Sequence, residues 1–147
     1  MDKTNCLNQL MLSEISRGVT NYGKLNVAID VSGPVNIENM KLLVREIVDE
    51  IKKPASIIFS DSSVIKEVDY SEFNETLFIL GKNIADFSET FLHVNEKLND
   101  EGCCGLIYIT DGHGFLPEAE PQYPVIWILT GGSPSEDIPF GLKFVLS

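Results

Sequence analysis

The stretch Asn26-Val-Ala-Ile-Asp-Val-Ser-Gly-Pro34 constrains the fold of this chain more than any other. An apolar run of this length, closed by an aspartate, a serine, a glycine and a proline, reads as a strand buried on both faces. Such a strand delivers Asp30 and Ser32 to a loop at its C-terminal end. In an open α/β sheet that end is where ligands bind.

The rest of the chain supplies neighbours for that strand. Met40, Leu43, Val44, Ile47, Val48 and Ile51 recur at helical spacing after Asn36, a suitable N-cap. Lys52-Lys-Pro54 closes that helix, with cations set against its dipole. Ser56–Phe59 and Val64–Val68 read as strands joined by a tight turn. So short a link requires an antiparallel hairpin, because a parallel neighbour needs a crossover of about a dozen residues. Leu77–Leu80 is either a short strand or a covered loop. Asp86 opens a helix carrying Phe87, Phe91, Leu92, Val94 and Leu98, with His93 at its boundary. Gly105–Thr110 is a buried strand ending in Asp111-Gly112, and Val125–Thr130 another, ending in Gly131-Gly132. Residues 117–124 are too rich in proline for regular structure, and Phe140–Leu146 reads as the last strand.

This alternation predicts an α/β fold in three layers: a mostly parallel, Rossmann-like central sheet with one antiparallel edge strand and helices on both faces. Residues 1–22 form an N-terminal helical extension, with Leu7, Leu10, Met11 and Ile15 on one face and a stop near Gly18. Residues 23–147 make up the domain proper. The extension is expected to pack on that domain, the alternative being a surface for a partner.

The length, 147 residues, suits one domain with a sizeable core. A net charge of −11 leaves no basic face for nucleic acid or an anionic membrane, and is compatible with a cationic partner or a divalent cation. No run approaches the roughly 18 apolar residues of a membrane span, and no secretory leader is visible. Three cysteines, two of them adjacent at Cys103 and Cys104, do not make a disulfide framework. Reduced, buried thiols in a cytoplasmic protein are expected.

Asp30 and Asp111 each follow a parallel strand and so belong to one rim of the sheet. On neighbouring strands, about 4.8 Å apart, their carboxylates and the Ser32 hydroxyl make a hard oxygen site of the kind Mg²⁺ accepts. The competing account is that aspartates at strand ends cap the next helix or fix a turn. Other chemistries fit less well. A phospho-receiver needs an acidic pair and a late lysine, whereas the late strand ends Leu129-Thr-Gly-Gly132. Dinucleotide binding needs a glycine-rich first turn, and Asp30–Pro34 has one glycine. Cys104 and His113 flank a strand and lie roughly 25–30 Å apart, beyond hydrogen-bond reach. No His-Glu-x-x-His zinc motif occurs, and no catalytic set emerges.

Several of these stretches, in this order, resemble a von Willebrand factor A domain: Val27–Gly33, Phe59–Asp61, Leu106–Gly112 and Tyr123–Gly131, followed by Pro139-Phe-Gly141. More narrowly, the chain over residues 24–147 is similar to the bacterial domain found C-terminal to a metallopeptidase-like domain and associated with MoxR-type AAA+ ATPases. That resemblance implies a metal-ion-dependent adhesion site with Asp30, Ser32 and Asp111 as ligands. Two hydroxyls of the family pattern are missing, because Pro34 and Ala85 stand at their positions. The resemblance therefore implies either no cofactor or weakly bound Mg²⁺. It implies a non-catalytic interaction module whose protein partner, a MoxR-type ATPase or a metallopeptidase-like protein, docks on a rim including Gly33, Pro34, Asn83, Asp86, His113 and Phe115. Alternatives are a metal-assisted hydrolase using Asp30 and Asp111, or a regulatory remnant with an empty site.

Overall fold

The computed structural model describes residues 6–33, 36–75, 81, 84–131 and 137–146. Its helices are α1 (Gln9–Arg17), α2 (Ile37–Ile51) and α3 (Phe87–Glu101). Its strands are β1 (Lys24–Asp30), β2 (Ala55–Ser60), β3 (Val64–Asp69), β4 (Ala85–Asp86), β5 (Cys103–Thr110), β6 (Gly114–Phe115), β7 (Val125–Leu129) and β8 (Leu142–Val145). A 3₁₀ turn, Tyr70–Glu75, follows β3.

Six strands form one sheet in the order β3-β2-β1-β5-β7-β8. All neighbours are parallel except β2 and β3, which make the antiparallel edge hairpin expected from the tight turn between them. The chain runs outward from β1 in one direction and, after α3, outward from β5 in the other. The order therefore reverses between β1 and β5, which creates a crevice outside their carboxyl ends.

Period-two alternation sorts each strand between two apolar layers. Val27 and Ile29 of β1 join Ile57, Phe59, Ile107 and Ile109 against the faces of α1 and α2. Ala28 turns the other way and joins Ile58, Tyr108, Trp127 and the α3 residues Phe87, Phe91 and Val94. On that side the rings of Tyr108 and Trp127 stack with centroids 5.3 Å apart, and Phe87 meets both edge-on at 5.0 and 5.3 Å. Both faces of the sheet are thus covered by helices, the arrangement that lets nearly continuous apolar strands stay out of water.

Asn36 caps α2 by accepting the backbone N–H of Asn39 at 3.0 Å, as its position predicted. The first helix begins after its cap Asn8 and stops at Gly18, as expected, but Leu10 is exposed rather than packed. Leu12 and Ile15 supply its buried face, while Leu7 enters the core ahead of the helix. Glu46 of α2 accepts the backbone N–H groups of Cys6 and Leu7 at 2.7 and 2.9 Å, so α1 packs on its own domain. Leu92 is also corrected: it stands on the solvent side of α3. The expected segment at 77–80 lies outside the described residues.

Candidate functional site

The crevice between β1 and β5 holds the residues singled out at the first strand. Ile29 pairs with Ile109, which sets Asp30 level with Thr110 rather than with Asp111. Asp30 is 8% exposed, and both of its carboxylate oxygens are engaged. Oδ1 accepts the backbone N–H of Ser32 at 2.9 Å and the Ser32 hydroxyl at 2.5 Å. Oδ2 accepts the Thr110 hydroxyl at 2.5 Å, and that same Thr110 oxygen accepts the N–H of Gly112 at 3.1 Å. Thr110 is 2% exposed and ties the two rim loops together through Asp30.

The other rim aspartates repeat this local geometry. Asp61 Oδ1 accepts the N–H of Ser63 at 3.2 Å, Asp86 Oδ1 that of Ser88 at 3.1 Å, and Asp111 Oδ1 that of His113 at 2.9 Å. Each is an aspartate closing a turn onto the backbone two residues ahead, the competing account raised by their positions. Asp86 also accepts the Ser88 hydroxyl and serves as the N-cap of α3, where its charge suits the helix dipole.

The loops are laced to one another by the backbone. Val31 donates to the Ser60 carbonyl at 2.9 Å, Gly81 to the Val31 carbonyl at 2.8 Å, and Asp86 to the Asp61 carbonyl at 2.9 Å. In addition β4 and β6 pair in parallel, Ala85 with Gly114 and Asp86 with Phe115. Neither two-residue strand is long enough to carry a sequence period. Gly114 is required there, since a Cβ would lie 2.7 Å from the Phe87 ring and 3.0 Å from the Ala85 methyl. Ala85 is itself buried among Phe87, Tyr108 and Trp127.

Of the expected rim residues, Gly33, Asp111, His113 and Phe115 are exposed and Ser32 and Asp86 half-buried. Pro34 and Asn83 lie outside the described residues. Phe115 and Ile84 stand out as large apolar side chains on this rim, 65% and 72% exposed. Ile84 lies within the expected rim segment Asn83–Asp86, but its exposed apolar side chain could not be singled out because the strand it precedes is too short to recognise. Thr110 was passed over as the end of an apolar run; its adjacency to Asp111 was the available signal.

A divalent cation here would draw on Ser32 Oγ, Asp30 and Asp111. The set suits it poorly. The oxygens of Asp30 already serve three donors, Asp111 turns its Oδ1 to its own loop, and Ala85 contributes a buried methyl. Among the described residues no three His, Cys, Asp or Glu side chains converge on one point. Mg²⁺ keeps waters readily but needs well-placed oxygen ligands, so these residues do not fit a tight site.

The adjacent thiols of Cys103 and Cys104 are buried at the N-terminal end of β5, far from the rim, whereas His113 follows its C-terminal end; the third cysteine, Cys6, is half-buried rather than buried. Burial pushes the Cys103 thiol up and the Cys104 thiol up to about 11, the state of an inert structural cysteine. A second polar cluster joins α3 to the edge hairpin. Glu67 of β3 accepts hydrogen bonds from Lys97 and Ser56 and lies 2.7 Å from His93 Nε2, and Lys97 also donates to Asn26 at 2.8 Å. Burial raises the Glu67 carboxyl, but the bonds from Lys97, Ser56 and His93 outweigh it and hold it down to about 2.

The fold and this rim define a doubly wound, three-layer α/β domain with its candidate site at the switch point of the sheet. No protein-family model matches the chain, and no curated protein or solved structure matches it either. No helix among the described residues is long and apolar enough to cross a membrane.

Proposed function

We propose that this chain is a non-catalytic, von Willebrand factor A-like interaction module that docks a protein partner on the rim at the β1–β5 switch point. One observation carries the reading. The polar groups of the rim are bonded to one another, while Ile84 and Phe115 project into solvent beside them. Hydroxyls that hold a carboxylate in place leave no activated nucleophile, whereas exposed apolar side chains ringed by polar loops suit the core of a protein interface. The strand order with its antiparallel edge hairpin supports the family resemblance. In this reading the Asp30–Thr110–Ser32 network does the structural work that a cation does in a complete adhesion site, and Mg²⁺ binds weakly if at all. A MoxR-type ATPase or a metallopeptidase-like protein is the partner that the resemblance suggests.

The test is a footprint. The full chain is used to capture partners from its native cells, and the captured complex is mapped by hydrogen–deuterium exchange. Protection should centre on residues 30–33, 84–86 and 111–115, and Phe115→Ser or Ile84→Ser should release the partner without unfolding the domain. A partner whose footprint lies wholly elsewhere overturns the proposal.

A further inference from the structure

We propose that the groove between α3 and residues 116–122 docks a cationic peptide segment of a partner protein, anchored by an apolar side chain. The groove has a volume of about 740 Å³ and is walled by Phe91, Leu92 and Leu98 on one side and Leu116 on the other. Phe87, Phe91 and Val94 turn into the core, yet Leu92 on the same helix is 55% exposed. An apolar trough with polar edges is the usual seat of an anchor residue.

Its edges are acidic on both sides. Glu118 and Glu120 are exposed on the proline-bearing wall. Glu89 and Glu96, also exposed, stand three residues before and four residues after Leu92, which makes them its neighbours on the helix surface. Among the described residues lining the groove there is no lysine or arginine. The whole chain repeats the bias: residues 83–142 contain ten of the 22 carboxylates and one of the 11 cations, whereas the first 53 residues carry seven of each. That one cation, Lys97, lies against Glu67 and Glu101. The excess charge of the sequence is therefore concentrated in the segment that supplies the groove.

This complementarity selects the occupant. A nucleic acid or an acidic peptide is repelled, and a basic segment is drawn in and held by its apolar anchor. The groove is open to solvent along Leu92, Asn95, Glu118 and Gln122, all exposed, which suits a chain lying along it. The proposal does not depend on the rim being a docking surface.

The experiment uses the full chain and a short fluorescent peptide with lysines on one face and two leucines on the other. Matched peptides replace the lysines by glutamate or the leucines by serine. Anisotropy gives affinity, and amide chemical shifts locate the site. The lysine–leucine peptide should bind, shift residues 88–98 and 116–122, and weaken as salt screens the attraction. Glu118→Lys combined with Glu120→Lys should weaken it about tenfold or more, and Leu92→Ser should also weaken it, with Leu10→Ser on α1 neutral. All these positions are exposed, and the emission of buried Trp127 verifies folding. Absence of binding, affinity unchanged by charge reversal, equal binding of the serine peptide, or shifts confined to other faces overturns the proposal. Self-association of the chain that the charge reversal abolishes assigns the groove to a second copy, and overturns it too.

Discussion

Asp30 and Glu67 are two partly buried carboxylates that the structure satisfies in different ways. Asp30 is held by hydroxyls and a backbone N–H, from Ser32 and Thr110. Thr110→Val removes one donor to a buried acceptor and should lower unfolding stability by about 1–3 kcal/mol. A urea titration followed by Trp127 emission measures this, and a change near zero shows that the bond is not formed. Glu67 is held by Lys97, Ser56 and His93. Its folded carboxyl, at about 2, lies below the ordinary 4.5. The unfolded chain therefore takes up this proton first as pH falls. The stability that Glu67 contributes is complete above about 4.5 and disappears as pH drops from there through 2. Glu67→Gln should flatten stability against pH in that window and leave the remaining acid sensitivity in place. Unchanged slopes in urea midpoints between the two proteins count against the clamp.

At the scale of elements, the ends of helices and strands govern where the rim loops lie. Lys52 closes α2 in the left-handed region at φ 59°, a conformation that costs a side chain with a Cβ. It is exposed, so Lys52→Gly removes that strain without opening the core. The substitution should stabilise the domain by about 1 kcal/mol. Thermal melts give the sign directly, and a loss of stability refutes the account. Helices and long strands were legible because their periods repeat: the face of α2, the cap at Asn36 and the runs of β1, β5 and β7 all declare themselves. The β4–β6 ladder was not legible. Two residues hold no period, and the pairing joins positions 29 apart through a close approach that only Gly114 allows.

Over the whole molecule, the charge and the rim chemistry together predict how it responds to divalent cations. With a dissociation constant weaker than about 1 mM, adding 1 mM Mg²⁺ to a metal-free sample stabilises it by less than about 0.4 kcal/mol. For a domain of this size the melting temperature should rise by less than about 2 °C. A larger rise that Asp30→Ala abolishes would restore the rim as a metal site.

The sequence by itself determined the layers, the edge hairpin and the end of the sheet at which Asp30 emerges. Those follow from short-range physics: apolar periodicity, turn residues and the length a crossover needs. Tertiary structure decided what the rim residues do. Only the register of β1 on β5 brings Thr110 rather than Asp111 level with Asp30. Only the packing of Ala85 beneath Gly114 commits that methyl to the core. A carboxylate in a sequence is a ligand, a cap or a turn with equal ease. The choice is made by which donors stand within about 3 Å of it: for Asp30 these are Ser32, two residues ahead, and Thr110 of β5, and only the second is brought there by the tertiary fold.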